Sequence, residues 1–146
     1  MNTGKKWEQD VKSSFLGITG TWIMRIPDGR GGERVADSIL LYNKYQCLLE
    51  MKDRQKLSYH SFSPKQWQHM LYFHHSFYAR IGLVAVKLNP DVKFITDVES
   101  LRNFLVGRTL NENNYEGIRR CPFKVIDDFN SLEFENYLSE LIKAKI

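Results

Sequence analysis

A chain of 146 residues, 42% hydrophobic and 26% charged, is long enough to bury a real core and too apolar to be a disordered segment. Its net charge of +4 favours a polyanionic partner such as nucleic acid, although that charge is spread along the chain. No apolar run approaches the ~20 residues that span a bilayer, the opening MNTGKKWEQD lacks an apolar signal-peptide core, and Cys47 and Cys121 have no CxxC spacing, so a cytoplasmic protein without membrane partner, disulfide framework or zinc ribbon is expected.

Asn2 or Thr3 caps a first predicted helix that runs to about Phe15. Trp7, Val11 and Phe15 recur at helical spacing and face the core, with Glu8 beside that stripe. Residues 21–26 (TWIMRI) read as a strand. Residues 27–34 (PDGRGGER) form a Gly-Arg loop that is either a phosphate contact or an ordinary turn, and it lacks the GxxxxGK[ST] pattern of a nucleotide loop.

Residues 35–42 (VADSILLY) and 45–52 (YQCLLEMK) read as two strands joined by Asn43-Lys44, a two-residue connection that closes a hairpin. Tyr42 then pairs with Tyr45, and stepping outward puts Asp37 opposite Glu50. Side chains in such a pair have Cβ atoms roughly 4.5–5.5 Å apart. Lys52 is two residues from Glu50 and shares its face. Two acids and a lysine therefore meet at one end of an otherwise apolar hairpin. Close carboxylates repel, and one takes up a proton unless a cation sits between them. A hard divalent ion with oxygen ligands is the natural occupant. Cys47, mid-strand, reads as a small buried apolar residue.

Residues 53–63 (DRQKLSYHSFS) are polar and basic, with Tyr59 and Phe62 interleaved. Ser63 as N-cap and Pro64 at the first helical position start a second helix, expected to reach about Ala79 or Arg80. Trp67, Met70, Leu71 and Tyr78 form its core stripe; His74 reads as partly buried and satisfied, His75 as exposed. Residues 82–88 (GLVAVKL) read as a buried strand and residues 92–96 as a shorter one. Asp97 or Ser100 caps a short helix through Val106, residues 107–120 read as a loop, and residues 133–143 form a last helix on Phe134, Tyr137, Leu138 and Leu141. This order predicts a single α/β domain over 1–146, its motifs within about 1–106, built on a mixed central sheet flanked by helices.

Phosphodiester hydrolysis needs an aligned water, charge neutralisation at phosphorus and a stabilised leaving oxygen. A magnesium ion on Asp37 and Glu50 serves two of these, with manganese an acceptable substitute. The Met51 backbone carbonyl is a further candidate ligand, and Glu8 reaches the site directly or through water. Lys52 is placed to hold the water or to stabilise the pentavalent oxygens. Arg54, Lys56 and Lys65 lie around this site with aromatics among them, which suits a DNA backbone near unstacked bases but equally describes a solvated loop. Lys5, Arg30 and Arg34 complete the candidate DNA contacts. An acid two residues from a lysine is more often a surface ion pair; the matched position of Asp37 and the apolar flanks raise the functional reading.

The order Glu8, Asp37, Glu50-Met51-Lys52 resembles the PD-(D/E)xK nuclease superfamily. More closely, GKKWEQDV at 4–11, RIPD at 25–28, AD at 36–37, LLEMK at 48–52 and FSPKQWQHM at 62–70 resemble RecU-type Holliday junction resolvases, also labelled penicillin-binding protein-related factor A. The resemblance implies a restriction-endonuclease-like fold and a magnesium-dependent homodimeric endonuclease that makes paired nicks in branched, four-way DNA. It makes Asp37 and Glu50 metal ligands, Lys52 the catalytic lysine, Glu8 the first-helix acid, Gln66 the supporting glutamine and Arg25 a DNA or active-site contact. The long stalk of cellular RecU proteins is missing, since only the short loop at 27–35 stands in its place. Another nuclease of the superfamily, a non-catalytic DNA-binding module of the same fold, and a protein-interaction domain are the rival readings.

Overall fold

The hairpin turns at Asn43, whose φ of 51° lies in the left-handed region that asparagine tolerates. From this turn run β2 (Ser38–Tyr42) and β3 (Tyr45–Asp53), with Tyr42 opposite Tyr45 and Ser38 opposite Leu49, the expected register. The structure, a computed structural model, describes residues 3–18, 20–27, 34–123 and 131–145. Residues 28–33 of the Gly-Arg loop, with Arg30, and the capping role of Asn2 therefore lie outside the described residues.

β1 (Thr21–Arg25), β4 (Arg80–Asn89), β5 (Val92–Asp97) and β6 (Cys121–Pro122) complete a six-stranded sheet in chain order. Among the described strands, β3 and β4 run parallel and the other neighbouring pairs run antiparallel. Their crossover contains α2 (Pro64–Ser76), as a parallel connection demands. Buried on both faces, these strands read as continuous apolar runs. The predicted mixed α/β sheet is the observed one.

Strand alternation splits the apolar residues between two cores. α1 (Thr3–Leu16) and α4 (Ser131–Lys143) cover one face through Trp7, Val11, Phe15, Phe134 and Leu138, which meet Leu40, Cys47, Leu49 and Ala85. The Trp7 indole donates to the Ala85 carbonyl at 3.1 Å and locks α1 onto the sheet. On the other face, α2 and α3 (Val98–Leu105) pack Trp67, Met70, Val98 and Leu101 on Val84 and Val86. At Gly82 a Cβ would stand 2.8 Å from Val98 and 3.2 Å from the Met70 carbonyl, so the helices seat here only on a glycine.

Several boundaries differ from expectation. β2 starts at Ser38 rather than Val35: the Asp37 carbonyl still bonds the Ile26 amide at 2.9 Å, in line with β1, but the Asp37 side chain takes the Met51 amide that would continue the β3 ladder, and Ala36 enters the α2-side core. α2 stops at Ser76, not Ala79 or Arg80, because Phe77 is extended and the Arg80 amide returns to the Phe77 carbonyl to open β4. Tyr78 is consequently half exposed and is not part of the core stripe. Within 107–120, read as loop, Leu110 bridges to Leu57 and a 3-10 turn forms at Tyr115–Gly117; β6 was not foreseen, being two residues long. Among the described residues no helix is long and apolar enough to cross a membrane.

Candidate active site at the hairpin end

Asp37 lies one residue beyond the last β2–β3 pair, where its side chain is free of the ladder. Its Oδ2 accepts the Met51 amide at 2.8 Å, and its Oδ1 meets Arg34 Nη2 at 3.1 Å. The carboxylate therefore sits in the plane of the sheet at its end. Glu8 approaches it from α1 on one face, close enough to share a hydrogen bond with it. Glu50 approaches from the α2 face, where β3 alternation directs it, and also hydrogen-bonds Asp37. Asp37 and Glu50 are 8% and 5% exposed, a depth at which unpaired carboxylates are costly.

The α2 N-terminus supplies part of the compensation. Ser63 caps the helix by accepting the Gln66 amide at 3.1 Å. This holds Gln66 in the first turn, and its Nε2 donates to Glu50 Oε2 at 2.5 Å. The positive end of the helix dipole favours a carboxylate there. Lys52 Nζ stands 3.5 Å from the same oxygen and donates to the Ser61 carbonyl at 3.0 Å.

The electrostatics follow from this crowding. Burial, then the Asp37 hydrogen bond and charge, push the Glu50 carboxyl from 4.5 up to about 8, against the pull of Lys52 and Gln66. Burial and Asp37 also raise the Glu8 carboxyl, while Arg34 and Arg25 pull it down. At neutral pH the cluster retains a proton that a divalent cation can displace. The donors around Asp37 are oxygens, the set that suits a hard ion.

Glu8, Asp37, Glu50, Lys52 and Gln66 thus come together at one pole, as predicted. Arg34 is engaged by Asp37 and lies 3.5 Å from the Ile26 carbonyl, so its charge is turned toward the acid. One other expectation changes. Phe62 is 3% exposed and packs on Trp67 at 4.4 Å, so it is not available to stack on a base; Tyr59 remains 39% exposed. Lys5, Arg25, Arg54, Lys56 and Lys65 are exposed. Beside Glu8 and Met51, a cavity of about 80 Å³ is also lined by Gln9, Lys12, Arg25 and Ser38. Sequence reasoning missed Gln9, Lys12 and Ser38; the available signal was Lys12 one helical turn after Glu8 and Ser38 next to Asp37.

Among the described residues, one group of three His, Cys, Asp or Glu side chains has donor atoms all within 4.8 Å of one another, and it lies elsewhere: His74, Asp97 and Glu99. It is built for structure. His74 Nδ1 accepts the Gly82 amide at 3.1 Å, so the neutral ring carries its proton on Nε2, the atom that faces the two carboxylates. That atom presents a proton, not a lone pair. Burial, with Lys145 nearby, lowers the imidazole from 6.5 to about 4 and keeps it neutral. Asp97 caps α3 at Ser100 and meets the Tyr137 hydroxyl. His74 is satisfied, as expected, but fully rather than partly buried, and His75 is exposed, as expected.

No family model matches the chain, and no curated protein does. Among solved structures the fold matches Hjc of Archaeoglobus fulgidus, described as a Holliday junction resolvase from an archaeal hyperthermophile, with a TM-score of 0.58 over 79% of this chain and 93% of Hjc. The chain shares the fold of Hjc. At 18% identity the likeness is one of architecture. It shows the fold alone, so the likeness to RecU-type proteins rests on the sequence motifs.

Proposed function

We propose that this protein is a divalent-metal-dependent endonuclease that resolves four-way DNA junctions by paired phosphodiester cleavage. The observation that carries the reading is the meeting of Asp37, Glu50 and Lys52 at the end of the β2–β3 hairpin, with Gln66 on Glu50. The Hjc fold and the motif order support it. Asp37, Glu50 and the Met51 carbonyl would hold magnesium or manganese, with Glu8 joining through water; the ion supplies Lewis-acid charge at the scissile phosphate and acidifies a bound water. The Met51 amide points at Asp37, and the N–H and C=O of one strand residue point the same way, so its carbonyl opens on the same side.

The chain's own groups do the rest. Gln66 fixes the Glu50 carboxylate in one orientation. Lys52 holds the attacking water or stabilises the pentavalent phosphate oxygens. Lys5, Arg25, Arg54, Lys56 and Lys65 bind the phosphate backbone in proportion to their exposure. Paired nicks on a symmetric junction call for a homodimer with one site per copy. The short segment at 27–35, in place of a stalk, favours a second reading in which other branched or duplex DNA is cut by the same chemistry.

The test is cleavage of a synthetic four-way junction with and without magnesium, beside a linear duplex. Cleavage that needs the metal, prefers the junction and is lost in Asp37→Asn, Glu50→Gln and Lys52→Ala with folding kept is expected. Three variants that cut like the wild type would end the assignment. Equal cutting of duplex and junction would leave the nuclease and remove the resolvase.

A further inference from the structure

Lys52 is held by more than its ion pair. Its ammonium stands 4.7 Å from the centroid of the Phe62 ring, while one N–H goes to the Ser61 carbonyl at 3.0 Å and Glu50 Oε2 lies at 3.5 Å. We propose that Phe62 is a positioning residue for Lys52, and that the turn carrying it is a preformed cradle aiming the ammonium at the reacting phosphate. The proposal rests on the nuclease reading above and deepens it.

The cradle is rigid for local reasons. The 3-10 turn Tyr59–Ser61 is closed at both ends: the Ser61 amide donates to the Ser58 carbonyl at 3.0 Å, and the Ser58 amide donates to Ser61 Oγ at 2.9 Å. The Trp67 indole N–H donates to the Tyr59 carbonyl at 2.8 Å, and its ring stacks on Tyr59 at 5.3 Å and tilts against Phe62 at 4.4 Å. Trp67 and Phe62 are 2% and 3% exposed. The Ser61 carbonyl and the Phe62 ring therefore cannot drift independently of α2, the helix whose first turn also presents Gln66 to Glu50.

A lysine side chain has four soft torsions and three equivalent donors, so an unconstrained ammonium samples many positions. Here the carbonyl takes one proton, the carboxylate draws a second, and the aromatic face attracts the charge while excluding water on that flank. The remaining direction is the one left for a phosphate oxygen or an attacking water. An aliphatic side chain of similar volume would fill the same space and keep the core, but it would give the ammonium no attraction and let it swing toward solvent. The cost should fall on the chemical step, because DNA binding and metal binding are made by other groups.

The test compares wild type, Phe62→Met and Phe62→Tyr on a four-way junction at saturating magnesium. Phe62→Met should lower kcat about fivefold to thirtyfold, the size of a desolvated cation–π contact, with KM and magnesium affinity within twofold of wild type. Phe62→Tyr, which keeps the ring, should restore most of the rate. A loss of kcat in Phe62→Met below twofold, or one matched in Phe62→Tyr, overturns the role. A purely structural defect would move the unfolding temperature and KM together with kcat, and that outcome also overturns it. NMR of the wild type reads the contact without activity: the Lys52 ε-methylene protons should show an upfield ring-current shift, and their absence refutes the cradle even where Phe62→Met does not fold. A wild type that cleaves no DNA sinks the nuclease reading and this role with it, whereas a wild type that cleaves beside an equally active Phe62→Met sinks only the role of Phe62.

Discussion

The Arg34 guanidinium lies 3.1 Å from the Asp37 carboxylate, on the acid that also accepts the Met51 amide. A cation of the chain thus occupies an oxygen of the acid proposed to hold the metal. Arg34→Ala should tighten magnesium binding by about fivefold in the absence of DNA, a Coulomb term reduced by the partial exposure of the Arg34 side chain. Isothermal calorimetry checks this, and weaker binding in the variant would contradict it.

The crowded acids make stability depend on pH. Folding raises Glu50 from 4.5 to about 8, so the folded protein keeps a proton that the unfolded chain has lost over that interval, and stability falls as pH rises through it. His74 acts in the opposite sense. Folding lowers it from 6.5 to about 4, so the folded protein refuses a proton that the unfolded chain takes, and stability falls as pH drops across that interval. The two oppose each other below pH 6.5; above it Glu50 prevails. Metal-free protein should melt at a lower temperature at pH 8 than at pH 6.5, and Glu50→Gln should flatten that decline. Thermal scans in chelator across this range decide the matter, a steep decline retained in Glu50→Gln being the adverse result.

His74 separates a structural histidine from a metal ligand. His74→Ala removes the acceptor for the Gly82 amide and opens a cavity in a buried site, at a cost of about 2–4 kcal/mol in unfolding free energy. Magnesium affinity and metal-dependent cleavage should stay at wild-type levels at a temperature where the variant is folded. A variant that is stable but no longer binds the ion would move the metal centre to the His74 cluster.

Junction binding should weaken with salt in proportion to the phosphates contacted. Arg25→Ala and Lys65→Ala, at exposed positions, should each reduce the slope of log affinity against log salt by about one, while Arg34→Ala, turned onto Asp37, should change it less. Fluorescence anisotropy at several salt concentrations measures all three slopes. Equal effects of the three variants would place Arg34 on the DNA surface beside Arg25 and Lys65.

Much of this was legible in the residues, for local reasons. The Asn43-Lys44 turn set the hairpin register, and period-two alternation put Glu50 and Lys52 on one face. Ser63 and Pro64 announced the start of α2, and with it the direction of Gln66. The end of α2 was not legible, because the apolar period continues through Tyr78 while the chain turns at Phe77 to enter β4. Nor was β6, whose two residues carry no periodicity of their own and pair only because β5 offers an edge.

By itself the sequence determined the pairing of the β2–β3 hairpin, its turn and the company of Asp37, Glu50 and Lys52, because short-range backbone geometry dictates which side chains share a face. Tertiary structure alone decided what those groups touch. Arg34 folds onto Asp37, Gln66 reaches Glu50 from 16 residues away, and Phe62 turns inward to meet Lys52 rather than outward to meet a base. The physical reason is burial: once α1 and α2 close over the end of the sheet, each charge must find its partner among groups brought there by packing, and no spacing along the chain records that choice.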